Sequence, residues 1–223
     1  MNSRFRCRAE SAFTLLEVLV LIAVMAATAV VLLPSLGHSK KHSSRIRCVN
    51  NLKNVGLSYH IFTTDNGGSY PWKISTNTGG SAEFPLDAAN VWRQFVVVSN
   101  EMTSPKILVC WVDVESRQTA ASFSNFGNTN LSYFIGLEAD EMLPQTILAG
   151  DRNLTTNGQD VGPGLLLLGT NQTAGFSKKI HNSAGNVLAG DGSVQQCTSW
   201  RFQEAVADAA KASTNAINRL LIP

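Results

Sequence analysis

The stretch "SAFTLLEVLVLIAVMAATAVVLLPSLG", residues 11–37, decides how this chain is built. Its 21 residues from position 13 to position 33 contain only three polar side chains: Thr14, Glu17 and Thr28. An α-helix of that length covers about 30 Å, the thickness of the hydrocarbon core of a bilayer. The sequence therefore predicts a transmembrane helix over residues 13–36, with a carboxylate near its beginning that needs an explanation.

Three interpretations of this segment compete. In the first it is a cleavable secretory signal, with basic residues in front (Arg4, Arg6 and Arg8) and a small-x-small cleavage site at residues 27–29. In the second it is an uncleaved anchor. The third gives Glu17 a function, because a charged group inside a membrane helix costs roughly 2.5–3.5 kcal/mol at the bilayer centre and is seldom kept without one.

The order of residues favours the third interpretation. A short basic leader is followed by Ala12, then by Phe-Thr-Leu-Leu-Glu at residues 13–17, then by about 20 apolar residues. This arrangement resembles the prepilin cleavage and methylation motif of type IV pilins and type II secretion pseudopilins. The resemblance implies cleavage between Ala12 and Phe13, N-methylation of Phe13, and a helix kink at Pro34. The family usually has glycine where this chain has Ala12.

The resemblance also implies a role for Glu17, which would be the fifth residue of the mature chain. In a pilus-like fibre its carboxylate would pair with the terminal ammonium of Phe13 in a neighbouring subunit. Each charge alone is unfavourable in a dry helix bundle, whereas the pair offsets that cost and fixes the axial register. The simpler alternative is that Glu17 lies at the membrane surface and contacts water.

Beyond Pro34 the helical pattern continues as an amphipathic segment over residues 37–64. Apolar residues recur there every three or four positions, at Ile46, Val49, Leu52, Val55, Tyr59 and Phe62. Asp65-Asn66-Gly67-Gly68 then breaks the helix. The predicted fold is α+β and pilin-like: a long N-terminal helix, half membrane-spanning and half amphipathic, packed on a small antiparallel sheet in the head. Four regions result: a leader at 1–12, a transmembrane helix at 13–36, its amphipathic continuation at 37–64, and the head at 65–223.

Within the head the pattern predicts a helix over residues 86–100 and a second over residues 199–221. Apolar runs bounded by turn residues predict strands at 107–112, 131–135, 146–149 and 164–168. Two more predicted strands, 186–189 and 193–196, flank Gly190-Asp191-Gly192, and this arrangement predicts a hairpin. The segments 67–84 and 152–163 are expected to be loops.

A second motif lies in "HNSAGNVLAGDGSVQ", where His181 is followed after nine residues by Asp191-Gly192. This H-X9-DG arrangement resembles that of pseudopilin-like proteins found in Verrucomicrobia and Planctomycetes. Asp-Gly between two strands is typical turn chemistry, so the motif is expected to be structural, with His181 hydrogen-bonding across the hairpin. A catalytic or metal-binding pair of His181 and Asp191 is the alternative.

Cysteines offer one structural link. Cys7 lies in the leader, and Cys48 on the helix could bridge to Cys110 at the end of an apolar strand, which would leave Cys197 unpaired. The alternative is that the three cysteines outside the leader are all small buried hydrophobes. No metal site is expected from cysteine spacing. A structural calcium ion would have to use Asp151, Asp160 or Asp191, whose spacing matches no defined oxygen-ligand loop.

Composition excludes several functions. The formal net charge of +2 gives no basis for nucleic-acid binding, and no serine-hydrolase, zinc-protease or phosphate-loop motif is present. The expected function is a structural pseudopilin-like subunit without enzymatic activity or cofactor. It would be processed by prepilin peptidase and assembled with other subunits, by inner-membrane machinery, into a type II secretion pseudopilus or type IV pilus-like fibre.

The location expected with this function is the bacterial inner membrane, where lipid contacts a single-pass helix with its N-terminus cytoplasmic and its head periplasmic. An alternative is a membrane-anchored binding protein for a polysaccharide or another ligand, exported by the same route, with stacking residues among Trp72, Trp92, Trp111 and Trp200. A further alternative is an anchored hydrolase using His181 and Asp191.

Overall fold

The structure is a computed structural model that describes residues 14–213 and 216–223, without the side chains of residues 31–44. It separates into two compact units, Met1–Ser43 and Ser44–Pro223. The predicted leader, residues 1–12, and the predicted cleavage and methylation site at Ala12 and Phe13 lie outside the described residues. The predicted kink position, Pro34, falls within a continuous helix.

The described chain is an α+β protein. Its α-helices are α1 (Leu15–Asp65), α2 (Val91–Val96) and α3 (Ser199–Ala212), and short 3-10 turns connect α1, α2 and the first strand. Its strands are β1 (Tyr133–Gly136), β2 (Ile147–Asp151), β3 (Leu154–Thr156), β4 (Gln159–Asp160), β5 (Gly164–Gly169), β6 (Ala174–Phe176), β7 (Ala184–Ala189), β8 (Val194–Thr198) and β9 (Ile217–Ile222).

Two antiparallel sheets organise the second unit. The larger has six strands in the order β5-β9-β1-β2-β7-β8, and the smaller has three in the order β4-β3-β6. The central strand β1 is buried on both faces, as its burial pattern shows. Tyr133 and Ile135 join one core with Leu52 and Tyr59 of α1, whereas Phe134 joins a second core with Phe202 of α3. Side chains therefore alternate between two hydrophobic layers, one on each side of the large sheet.

The predicted pilin-like fold is wrong in two respects. The head contains a six-stranded sheet and a second three-stranded sheet instead of one small sheet. Among the described residues, no helix is long and apolar enough to cross a membrane. The apolar part of α1 with described side chains covers residues 15–30 and is roughly 24 Å long, whereas the hydrocarbon core of a bilayer is about 30 Å thick. This finding contradicts the predicted inner-membrane anchor with its cytoplasmic N-terminus and periplasmic head.

Four predicted elements also differ, and one is the loop predicted over residues 152–163, which contains β3 and β4. Residues 107–112 are not a strand, because a 3-10 turn at Pro105–Leu108 runs into further turns. The helix predicted over residues 86–100 shortens to α2 and a 3-10 turn at Ser99–Glu101. The tail predicted as one helix divides into α3 and β9, and β9 lies between β5 and β1. The C-terminal half of this tail pairs with strands that are distant in sequence, and local periodicity does not reveal such pairing.

The β7–β8 hairpin carries a close backbone approach at Gly190. A methyl group added there would lie 2.6 Å from the carbonyl oxygen of Asp140 and 2.5 Å from Thr146 Oγ1. The Gly190 amide also donates to the carbonyl oxygen of Thr146 at 2.7 Å, so the backbone has little freedom to move away. The turn is therefore held against the loop that precedes β2.

Gly190→Ala is expected to lower the free energy of unfolding by about 1–3 kcal/mol, because a backbone carbonyl must shift to admit the methyl group. Urea denaturation measures the effect. Gly162→Ala is the matched control, since nothing lies within 4 Å of its added methyl group and the substitution should be neutral or slightly stabilising. Equal stability of the two variants would contradict the close approach.

Candidate functional site

The beginning of α1 is organised by Thr14 and Glu17. The Thr14 side-chain oxygen accepts a hydrogen bond from the Glu17 amide at 3.3 Å. In return, Glu17 Oε2 accepts from the Thr14 amide and from the Thr14 hydroxyl, both at 3.0 Å. This reciprocal pair is a capping box, which satisfies amide groups left free at a helix start. The Thr-x-x-Glu spacing is a signal for it that the sequence analysis missed.

The residues that follow this cap are apolar on every side of the helix. All described side chains from residue 15 to residue 30 are exposed in the structure, and the large ones include Leu15 at 79%, Leu16 at 71% and Met25 at 66%. We call residues 15–30 the apolar segment. A helix that is apolar all round is stable in water only when other groups cover it.

A disulfide joins Cys48 of α1 to Cys110, with 5.3 Å between the two Cα atoms. Both cysteines are fully buried in the core between α1 and the large sheet. The bridge therefore ties the helix to the irregular segment that precedes β1. Cys197 is a buried free cysteine in the second core.

His181 occupies an unusual backbone turn. His181, Asn182 and Ser183 have φ angles of +53°, +53° and +62°, so three consecutive non-glycine residues are left-handed. Such residues cost energy unless neighbours hold them. Asn153 holds this turn by donating from Nδ2 to the carbonyl oxygens of Ser177 and Ile180, both at 2.9 Å. Arg45 of α1 donates to the His181 carbonyl oxygen at 2.8 Å.

The His181 side chain points into the protein, where it meets the disulfide and a carboxylate. Its Nε2 lies 3.3 Å from Cys110 Sγ and 3.5 Å from Asp151 Oδ2. Asp151 ends β2 and is fully buried. Its Oδ2 accepts from the amide and the side chain of Asn186 in β7, at 2.7 and 2.9 Å. Its Oδ1 has no hydrogen-bond partner among the described residues.

Burial sets the charge of this cluster. It raises the pKa of the Asp151 carboxyl to about 7, and the hydrogen bonds from Asn186 oppose that rise only in part. Burial, and after it the positive charge of Arg45, lowers the pKa of the His181 imidazole to about 4. The imidazole is therefore neutral at pH 7, and its contact with Asp151 is not an ion pair. We call Cys48, Cys110, Asp151 and His181 the buried cluster.

Asp191 and Gly192 lie in the hairpin turn and not in the buried cluster. Asp191 Oδ1 accepts from the Ser193 amide at 2.8 Å, and Gly192 has a φ of +81°. The predicted hydrogen bond from His181 across the hairpin is replaced by the contacts with Cys110 and Asp151. The carboxylates considered for calcium have different neighbours, since Asp160 forms an ion pair with Lys179 at 2.8 Å.

The four tryptophans divide into two kinds. Trp72 stacks on Tyr70 with 4.8 Å between ring centroids and donates to the Leu137 carbonyl oxygen at 2.9 Å. Trp92 packs against the first core. Trp111 and Trp200 are exposed, and an arginine covers one face of each ring, with centroid distances of 4.3 and 5.1 Å.

Arg152, which follows Asp151 in the chain, forms an ion pair with the buried carboxylate of Asp113. Arg152 donates from Nε and Nη2 to the two oxygens of Asp113, at 2.8 and 2.7 Å. The Asp113 side chain is 3% exposed and that of Arg152 is 18% exposed. Neither this pair nor the buried state of Asp151 was expected from the sequence. The only signal was a run of polar residues, Asp151-Arg152-Asn153, directly after an apolar strand.

Arg152→Lys is expected to lower the free energy of unfolding by about 1.5–3 kcal/mol, because lysine keeps the charge but loses the two-pronged hydrogen bonding. Urea denaturation is the measurement. The control is Arg201→Lys, whose exposed pair with Glu204 at 3.2 Å should be worth less than about 1 kcal/mol. If the two substitutions cost the same, Asp113 does not depend on the geometry of Arg152.

No protein-family model, curated protein or solved structure matches this chain. Its chemistry must be inferred from the residues themselves. The described residues include two separate features: a capped helix start with an exposed apolar surface, and a buried cluster of two sulfurs, an imidazole and a carboxylate. The first is suited to association, and the second is suited to fixing α1 on the large sheet.

Proposed function

We propose that this chain is a structural subunit of a pseudopilin-type fibre, of the kind formed by type II secretion pseudopili or type IV pili. Prepilin peptidase cuts it between Ala12 and Phe13, and Phe13 is then N-methylated. The observation that carries the proposal is the Phe-Thr-Leu-Leu-Glu motif, which leads directly into the apolar segment. The protein needs no cofactor and catalyses no reaction in this role.

The apolar segment supports the proposal because its surface requires a cover. Ten large apolar side chains between Leu15 and Val30 are each at least 45% exposed. In the fibre, the same segments of neighbouring copies provide this cover, packed as a bundle of helices. Burial of apolar surface at about 25 cal/mol per Å² then drives association.

The capping box uses only part of the acceptor capacity of the Glu17 carboxylate. One of its oxygens, Oε2, is used by Thr14 of its own chain. A carboxylate has two oxygens and about four acceptor sites, so Glu17 can cap its helix and receive the ammonium of a neighbouring Phe13 together. The cap also orients the carboxylate toward the helix start, where that ammonium would lie.

A ligand-binding function is less well supported by the same residues. Trp72 and Trp92 pack against the core, and each exposed tryptophan has one ring face covered by an arginine. The partners we propose are therefore prepilin peptidase, other copies or related subunits, and the machinery that assembles them.

Cysteine cross-linking tests the contact between copies. In a Cys7→Ser, Cys197→Ser background, Val20→Cys is expected to form linked dimers in sheared fibre material, because residue 20 lies in the proposed bundle. Lys211→Cys is the control, since its side chain is 77% exposed and belongs to α3, which is not part of the apolar segment. Fibre material in which Val20→Cys forms no links, or fewer than Lys211→Cys, would contradict the bundle.

A further inference from the structure

We propose that the reduced form of this chain binds one Zn²⁺ through Cys48, Cys110, His181 and Asp151, at the place that the disulfide occupies in the oxidised form. The site is independent of the proposed fibre function. It belongs to the chain before its disulfide forms, when both cysteines are thiols.

The donor atoms of Cys48, Cys110 and His181 lie close enough together to bind one small ion, and a carboxylate oxygen of Asp151 lies beside His181. The two sulfurs and His181 Nε2 all lie within 4.8 Å of one another, and all three residues are buried. Cys110 Sγ is 3.3 Å from His181 Nε2, which is 3.5 Å from Asp151 Oδ2. Donor atoms around a tetrahedral zinc ion, at about 2.0–2.3 Å from the metal, are separated by roughly 3.3–3.8 Å. Opening the disulfide moves the sulfurs toward that separation.

Asp151 is the independent observation that points to a cation. It is fully buried, and its Oδ1 has no hydrogen-bond partner among the described residues. A buried carboxylate oxygen without a partner is costly, and a cation beside it removes that cost. Asn186 fixes the carboxylate through two hydrogen bonds to Oδ2, as residues next to a metal ligand commonly do.

The donor set selects the metal. Two thiolates and an imidazole favour zinc over magnesium or calcium, which prefer oxygen ligands. With two thiolates and one carboxylate, the zinc complex carries one net negative charge. Arg45 supplies a positive charge beside it, since its guanidinium donates to the His181 carbonyl oxygen at 2.8 Å. The site is thus close to neutral as a whole.

A phosphine reductant opens the disulfide so that zinc can bind. The phosphine attacks the disulfide, water supplies the oxygen of the phosphine oxide, and water also supplies the two protons of the resulting thiols. Zinc binding then releases these two protons, because the thiolates are the ligands. In a newly made chain the thiols are present from the start, and folding around the metal would load the site.

Cobalt(II) is a suitable probe because it adopts similar sites and absorbs visible light. The full chain with Cys7→Ser and Cys197→Ser, reduced by phosphine, is titrated with Co²⁺ and then with Zn²⁺. We expect one Co²⁺ per chain, with thiolate-to-cobalt charge-transfer bands and the strong visible bands of a four-coordinate ion, displaced by one equivalent of Zn²⁺. The same chain with its disulfide intact should bind at least 100-fold more weakly.

Two variants make the test specific. His181→Asn removes a ligand but suits the left-handed backbone, so the fold is retained, and the Kd for Co²⁺ should rise at least 100-fold. Asp151→Asn should raise it at least tenfold. The proposal is overturned if the reduced chain shows no thiolate-to-cobalt band, if either variant binds as tightly as the parent, or if the disulfide form binds equally well.

Discussion

A chain carrying Glu17→Gln is expected to fold and to be cut after Ala12, yet to be at least roughly 100-fold depleted from fibres. Glutamine can accept the hydrogen bond from the Thr14 amide that Glu17 accepts, so the capping box and the helix start are preserved. Only the negative charge is lost. In the proposed fibre this charge would face the ammonium of a neighbouring Phe13, and its loss would leave that ammonium unpaired in a dry bundle.

Two further substitutions serve as comparisons for Glu17→Gln. Glu17→Ala removes both, so it should match Glu17→Gln in fibre content while also weakening the start of α1. Glu115→Gln makes the same change of charge at an exposed site outside α1 and should assemble normally. Fibre content is measured by shearing and quantitative immunoblotting. If Glu17→Gln assembles as the parent does, capping alone explains the glutamate.

The double variant Cys48→Ala, Cys110→Ala is expected to lose about 4 kcal/mol of its free energy of unfolding. The bridge spans 62 residues, and closing a loop of that size restricts the unfolded chain by roughly this amount. Both cysteines are fully buried in the first core, so their loss also removes packing between α1 and the segment before β1. Urea denaturation of the oxidised chains measures the difference.

Cys197→Ala is the matched control for the disulfide, because this cysteine is also buried but has no sulfur partner. It should cost about 1 kcal/mol, the typical cost of a point substitution. Phosphine reduction of the parent chain should reproduce most of the loss seen in the double variant. A double variant that loses no more than Cys197→Ala would show that the bridge contributes little to stability.

The elements that sequence pattern located well are those whose signals are local. The turn at Asp191-Gly192 lies where the dipeptide predicts it, with Gly192 at positive φ. Leu52, Val55 and Tyr59 of α1 are buried, as their spacing requires, although Ile46 at the start of the same series is 42% exposed. Local propensity and tertiary packing agree at these positions.

The errors have a common physical cause, which is pairing between distant residues. Residues 217–222 carry apolar side chains at spacings that fit both a helix and a strand, and β9 forms because β5 and β1 accept it as their neighbour. The apolar run at residues 107–112 finds no strand partner. Its residues Leu108 and Cys110 are buried in the core and by the disulfide instead, whereas Trp111 is exposed. Neither choice can be read from the segment alone.

The buried cluster could be predicted only in part. The bridge between Cys48 and Cys110 was one of two alternatives open from the sequence, whereas the approach of His181 and Asp151 was not foreseen. His181 reaches Cys110 across 71 positions of the chain, through a left-handed turn that no pattern indicates. Its motif partner in the sequence, Asp191, lies instead in the hairpin turn. Spacing along the chain therefore misidentified the neighbour of the histidine.

Processing at the start of the apolar segment distinguishes the proposed fibre subunit from a secreted protein and from an uncleaved anchor. The most direct test is the intact mass and N-terminal sequence of the protein isolated from its native host. We expect a chain that begins at Phe13 and carries one additional methyl group on its terminal nitrogen. A chain that begins after Ala29, or one that retains Met1, would contradict it.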